Sequence, residues 1–390
     1  MRREHIVRLC AVAVGALLLA IVGCQIGPKP DPLAPVDEEA LALIEAGADL
    51  NAPLDETGAT ALHRVAAGGT PPVATALMDA GADPNLPALA TGQPRASART
   101  FAVAAAEDEC TGFYAVNQPV VFQEGVCHVA AYGPLHYAAR RNSNSEMIQT
   151  LIDGGADPDG RGYRHTPLHE AVWREDAAQI IRALIAGGAD PNRGRGHYDQ
   201  HPDGINIGDN TPLCWATHAQ TAEAAMQALL DGGAALLKGD ADGLQTALHC
   251  AAWYDGTPAT VRFLVAAANN AGISDYVNWG QFGPGSQHTA LCDAAETPNG
   301  LYENLTPNSE GANALAVVRT LLSLGADPNG NGPFVRDDGE VQPDGGHPLL
   351  CATRGREHAV AAGIGPEHHD TMIAELLAAG AVWPEGYERP

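Results

Sequence analysis

Positive charge is scarce in this chain. Of 390 residues, 22 are Lys or Arg and 47 are Asp or Glu, a formal net charge of −25. Gripping nucleic acid needs a basic footprint, so nucleic acid is excluded as a partner. Adsorption to an anionic lipid surface is disfavoured for the same reason. A basic partner is compatible, although acidity by itself mainly reports solubility. Catalytic fingerprints are lacking too: there is no Gly-x-Ser-x-Gly, His-Glu-x-x-His, phosphate-binding loop or dinucleotide turn. Cys-x-x-Cys is absent, which argues against a zinc site among the cysteines. The loops Asp157–Gly160 and Asp327–Asn331 offer oxygen ligands without calcium-loop spacing, and read as turns. No cofactor and no metal are expected.

The longest uncharged apolar run near the start, Leu9–Val22, falls short of the ~20 residues that span a bilayer. With Arg2, Arg3 and Arg8 before it, it has the form of an export signal. It closes on Ile21, Val22, Gly23 and Cys24, which resembles a bacterial lipobox. That resemblance implies cleavage before Cys24 and lipid attachment to its sulfur. Gln25, rather than Asp, follows, which implies the outer membrane and a periplasm-facing protein. Residues 1–23 are then the signal and 24–35 a tether with Pro at 28, 30, 32 and 35. The lipid would be the chain's only membrane contact.

What the chain has in abundance is one hexapeptide. It occurs as Thr60–Val65, Gly133–Ala138, Thr166–Ala171, Thr211–Ala216, Thr246–Ala251, Thr289–Ala294 and His347–Ala352. Thr suits a helix N-cap, where its hydroxyl can accept an orphan backbone N–H, and Pro suits the first helical position. About 22 residues on, Gly-Ala-Asp recurs at 81, 155 and 188, with Gly-Ala-Ala at 233. Gly there fits a left-handed helix end. Between the motifs, residues such as Ile180, Ile181, Leu184 and Ile185 keep helical spacing. The hexapeptide resembles the Thr-Pro-Leu-His-x-Ala signature of ankyrin repeats, whose period is ~33 residues.

The resemblance implies an all-α ankyrin repeat solenoid over residues 36–384, of about seven repeats with terminal caps. Val36–Asn51 would be an N-terminal half-repeat and Thr371–Trp383 the C-terminal cap. It also implies that His63, His136, His169 and His249, at the signature position, are structural. The repeats are unevenly spaced, so insertions are expected near 86–132, 192–210, 273–288, 297–312, 327–346 and 355–370. Thr100–Ala105 could be a degenerate further hexapeptide. His358, Glu367, His368, His369 and Asp370 cluster in one insertion without a known ligand spacing.

Six cysteines follow Cys24: Cys110, Cys127, Cys214, Cys250, Cys292 and Cys351. Cys214 and Cys292 take position four of their hexapeptides, and Cys250 and Cys351 take position five of the next ones. One offset used twice predicts disulfides Cys214–Cys250 and Cys292–Cys351, leaving Cys110–Cys127 to close the largest insertion. The pairing is in tension with helix packing, since axes ~8–10 Å apart exceed the ~7 Å Cα limit of a disulfide.

Ankyrin proteins are similar in binding partners along a concave face of loop tips and first helices. On that analogy, positions eight and nine supply Arg140, Trp173, Arg174, His218, Trp253, Tyr254, Glu296 and Arg354 as a binding stripe. Tyr, Trp and Arg are common interface anchors. Loop residues Tyr198, Tyr276, Trp279, Phe282 and Phe334 could add to it. The expected function is a non-enzymatic, lipid-anchored scaffold for a protein partner. The alternatives are an inhibitor or immunity protein against a basic exported toxin or enzyme, and a metal-dependent enzyme built in the insertions.

Overall fold

The computed structural model describes residues 35–55, 58–88, 120–123, 126–129, 132–160, 165–194, 211–219, 221–237, 246–253, 256–280, 288–296, 312–330, 334–335, 341–342, 346–361, 363, 365–384 and 387. Cys24, Cys110, Tyr198, Tyr254, Phe282 and the segment Thr100–Ala105 lie outside them, as does the side chain of Cys127.

Each hexapeptide starts a helix. These first helices are α2 (Ala61–Gly68), α4 (Pro134–Arg141), α6 (Pro167–Ala171), α8 (Pro212–Ala216), α10 (Ala247–Trp253), α12 (Ala290–Glu296) and α14 (Pro348–Ala361). Each is followed by a second helix: α3 (Pro71–Asp79), α5 (Glu146–Asp153), α7 (Ala177–Ala186), α9 (Ala222–Asp231), α11 (Pro258–Asn270), α13 (Ala312–Ser323) and α15 (Glu367–Ala378). A lone helix, α1 (Pro35–Glu45), precedes them and packs on α2 and α3. Two rows result, because first helices pack on first helices and second on second, each against its neighbours in order. This is a solenoid, with contacts confined to adjacent units.

The hexapeptide explains the core. Position three is Leu62, Leu135, Leu168, Leu213, Leu248, Leu291 and Leu349, each at most 2% exposed. Burying one Leu side chain is worth ~1.5–3 kcal/mol. Position six is Val65 and then Ala138, Ala171, Ala216, Ala251, Ala294 and Ala352, all fully buried. So small a residue lets successive first helices approach closely. The second row supplies Leu77, Ile148, Leu151, Ile180, Leu184, Leu229, Leu264, Leu321 and Leu376.

The helix ends follow the expected glycine rule. After α7, Gly188 has φ of +102°, a left-handed value that Gly adopts freely. Its N–H reaches the Ile185 carbonyl at 3.0 Å, and the Ala189 N–H reaches Leu184 at 3.0 Å, the paired bonds of a Schellman motif.

The N-caps work differently from the expectation. The Thr hydroxyl takes a first-turn N–H in α8, where Thr211 Oγ1 accepts from the Cys214 N–H at 3.3 Å. In the repeats with His at position four, the ring intervenes. His63 Nδ1 accepts the Thr60 N–H at 3.2 Å and lies 2.9 Å from the Thr60 hydroxyl, and His169 treats Thr166 the same way. The imidazole engages the hydroxyl, so the cap runs from side chain back to backbone.

Among the described residues, two short antiparallel hairpins interrupt the helices. β1 (Val120–Gln123) pairs with β2 (Val126–Val129) inside the first insertion, and β3 (Phe334–Val335) pairs with β4 (Val341–Gln342) inside another. The segment 355–370, expected as an insertion between paired helices, is helical at both ends. α14 runs on to Ala361, and α15 begins at Glu367, so Thr371–Trp383 continues the second helix of the last pair.

Candidate binding face

Position four of the hexapeptide joins one repeat to the next at His63, His136, Cys214, His249 and Cys292. His136 Nδ1 accepts the Gly133 N–H at 3.2 Å, which obliges Nε2 to carry the proton. Nε2 then donates to the carbonyl of His165 at 2.8 Å, the residue just before the next hexapeptide. His63 donates likewise to Tyr132 at 3.2 Å, and His249 to His288 at 3.0 Å. Burial lowers all three pKa values, His63 to about 4, and this keeps the rings neutral.

Where position four is Cys, the joint is covalent. Cys214 is bonded to Cys250 and Cys292 to Cys351, as expected from the repeated offset. The Cα separations are 5.5 and 5.4 Å, so the close approach of the first helices removes the geometric tension. In the hexapeptide His347–Ala352, position four is Leu350.

A second ladder joins the loops. Asn85 Nδ2 donates to the Gly155 carbonyl and its Oδ1 accepts the Asp157 N–H, both at 2.8 Å. Asn51, Asn192, Asn278 and Asn329 repeat the arrangement on Gly81, Gly233, Gly325 and Gly380. Sequence reading missed this role. Its signal was an Asn two residues after Gly-Ala-Asp, as in Gly81–Asn85 and Gly188–Asn192.

Along the first-helix row, the expected stripe divides into ion pairs and an aromatic patch. Arg140 pairs with buried Glu170 at 3.3 Å, Arg174 with Asp176 at 2.5 Å, and Arg354 with Glu296 at 2.9 Å. Glu170 also accepts from the Tyr132 hydroxyl at 2.8 Å and contacts His165 at 3.2 Å. Burial would raise its pKa, but His165, Arg140 and Tyr132 hold it below the usual carboxylate range. These charges are anchored within the chain.

The aromatic patch differs. Trp173 is 43% exposed, and its ring lies 5.8 Å from Trp215 and 5.0 Å from His218, both edge-on. Trp215 is half-buried and packs on His165 at 4.3 Å and His169 at 5.4 Å. Edge-to-face pairs at these spacings are attractive. Burial drops His218 to about 4, so the patch is uncharged at neutral pH. Trp215, at position five, was not foreseen as part of it. Trp253 is half-buried in α10. Tyr276 is 1% exposed, and its hydroxyl donates to the Leu236 carbonyl at 3.1 Å, so it belongs to the core rather than to a binding loop. Trp279 also packs against the core.

The ligand-type residues of 355–370 are not brought together: His369 is buried, His358, Glu367 and Asp370 are exposed, and Asp370 pairs with Arg356. A different group converges instead. His288, Cys292, Glu296 and Cys351 place one ligand atom each within 4.8 Å of the others. Burial alone would lower the pKa of His288, but hydrogen bonds to Asp293 and Glu296 push it up to about 9. Burial alone would raise that of Glu296, but His288 and Arg354 hold it at about 2. Its signal was His288, Cys292 and Glu296 at four-residue spacing.

Residues 104–195 match the family model of ankyrin repeats, in three copies. The fold is an ankyrin-repeat solenoid. Human ASB11's ankyrin repeat domain is 19% identical, with a TM-score of 0.44 over 74% of this chain and 97% of that one. An ankyrin repeat domain from Acinetobacter baumannii AYE is 27% identical, with a TM-score of 0.38 over 64% and 98%. No curated protein matches the chain. The match to ankyrin repeats begins inside the first insertion. Among the described residues no helix is long and apolar enough to cross a membrane.

Proposed function

We propose that this chain is a non-enzymatic protein-binding scaffold that holds its partner along the first-helix row, with Trp173 at the centre of the contact. The observation that carries this reading is the Trp173–Trp215–His218 patch. It is uncharged, backed by packed rings, and set among Arg–carboxylate pairs that are already satisfied. A large, rigid, half-exposed aromatic costs little ordering entropy when a partner covers it. The signature histidines are read as structural rather than catalytic, because each described ring is committed to backbone groups.

The charge of −25 favours a basic partner, and steering would then raise the association rate at low salt. An inhibitor or immunity role against a basic exported protein is the sharper form of this reading. The lipobox-like run ending at Cys24 supports a lipid anchor facing the periplasm. Affinity capture of the partner, with wild type and Trp173→Ala compared in low and high salt, tests the reading. Capture that survives Trp173→Ala unchanged would remove the aromatic patch from the function. Capture indifferent to salt would remove the basic partner. Cys24→Ser should release the protein from membrane fractions, and unchanged attachment would exclude the lipid.

A further inference from the structure

The two disulfides among the described residues occupy the same positions in their repeats, yet their surroundings differ. Around Cys292–Cys351, His288, Cys292 and Glu296 follow one another into and along α12, while Cys351 comes across from α14. His288 Nε2 lies 3.5 Å from Cys292 Sγ and 3.7 Å from Glu296 Oε2. All four ligand atoms lie within 4.8 Å of one another. Among the described residues no such group forms around Cys214–Cys250. We propose that, once the Cys292–Cys351 disulfide is reduced, these four side chains bind one zinc ion, exchanging a covalent joint between repeats for a metal joint.

The donor set suits the ion. Two thiolates, an imidazole and a carboxylate are zinc ligands, and zinc takes them tetrahedrally at ~2.0–2.3 Å. Tetrahedral bonds of that length set neighbouring donors ~3.3–3.8 Å apart. The nitrogen–sulfur and nitrogen–oxygen spacings already fall in this range. The two sulfurs must separate, which breaking their bond permits, and the other donors, all within 4.8 Å, need shift by no more than about 1 Å to close on the ion.

The outer shell is in place as well. His288 Nδ1 lies 2.7 Å from Asp293 Oδ1, and Asp293 is fully buried. A carboxylate on the far nitrogen orients a ligating imidazole and aims its Nε2 at the metal. Arg354 holds Glu296 at both oxygens, Nε at 3.2 Å on Oε1 and Nη2 at 2.9 Å on Oε2, so Oε2 exchanges its Nη2 contact for the ion while Nε keeps the carboxylate in place. Its Nη2 also lies 3.3 Å from Cys351 Sγ, where it would stabilise a thiolate. Zinc, two thiolates, the Glu296 carboxylate and the Arg354 guanidinium sum to zero charge, which suits a site with both sulfurs buried.

The chemistry balances with a dithiol reductant. Two electrons and two protons pass from the dithiol to the disulfide. The dithiol closes to its own disulfide, and Cys292 and Cys351 become thiols. Zinc then displaces both thiol protons, together with any proton on His288 Nε2. Oxidation by a small disulfide reverses the exchange and ejects the ion.

The test uses the full chain bearing Cys214→Ser and Cys250→Ser, which leaves the proposed site intact. It is reduced with a phosphine that does not chelate zinc, loaded with zinc or cobalt, and freed of excess metal by gel filtration. The reduced protein should retain a single zinc ion and the oxidised protein none. The cobalt form should show thiolate-to-metal charge transfer and tetrahedral ligand-field bands. Adding His288→Gln and Glu296→Gln keeps both thiols and should weaken binding by more than ~10-fold, while Asp293→Asn should weaken it ~10–100-fold. Helical circular dichroism confirms that each variant is folded. Equal metal affinity in the His288→Gln, Glu296→Gln variant, equal retention by the oxidised chain, or an octahedral cobalt spectrum would each overturn the proposal.

Discussion

His136 Nε2 donates to the carbonyl oxygen of His165 at 2.8 Å, and so ties one first helix to the residue that opens the next. The same ring takes the Gly133 N–H on its other nitrogen. Replacing it leaves a buried carbonyl and a backbone N–H without their partner. His136→Ala should therefore destabilise the fold by about 1–3 kcal/mol, read as a lower urea midpoint. A change below ~0.5 kcal/mol would mean that the joint is ornamental.

Acid should loosen the solenoid through these rings. His63, His136 and His249 have folded pKa values below the ordinary 6.5, so the unfolded chain binds more protons as pH falls past that value. Stability from these groups is fully present above pH ~6.5 and is lost progressively as pH falls below it, for His63 toward about 4. His288, raised to about 9, acts in the opposite sense: its contribution is present below pH ~6.5 and lost as pH rises through about 9. A melting-temperature series from pH 7.5 to 4.5 should fall below pH ~6.5, and less steeply in His63→Gln. A flat series would contradict the neutral-ring account.

The two tryptophans should separate binding from folding. Trp215 packs on His165 and His169, so Trp215→Ala should cost about 2–4 kcal/mol of stability. Trp173 is 43% exposed, so Trp173→Ala should cost less than ~1 kcal/mol while weakening partner capture. Comparable stability losses for both would place Trp173 in the core.

The disulfides close segments of 36 and 59 residues. Loop-closure entropy then predicts about 4 kcal/mol from each. Non-reducing peptide mapping should recover Cys214 with Cys250 and Cys292 with Cys351. Chemical unfolding should shift downward on reduction by an amount that Cys250→Ser reproduces in part. Free thiols at Cys214 and Cys292 in the untreated protein would refute the pairing.

Much of the helical plan was legible because a repeat says the same thing many times. Leu at position three, Ala or Val at position six and Gly at the turn each carry a local reason that recurs in phase. The cysteine pairing was legible on the same ground, since one offset appears twice. The stripe was less so. Sequence spacing assigns Arg140, Arg174 and Arg354 to a face, but it does not reveal that Glu170, Asp176 and Glu296 already hold them. Tyr276 shows the opposite error: a loop aromatic by position, it is buried by the neighbouring repeat.

By itself the sequence determined the helical unit, its glycine end and its stacking, because these rest on contacts within ~33 residues that the copies repeat. Only the tertiary structure decided which polar groups remain available to a partner. That depends on contacts such as Arg354 with Glu296, 58 residues apart, and Cys351 with His288. Such pairs are created by the translation from one unit to the next, and no local pattern encodes that distance.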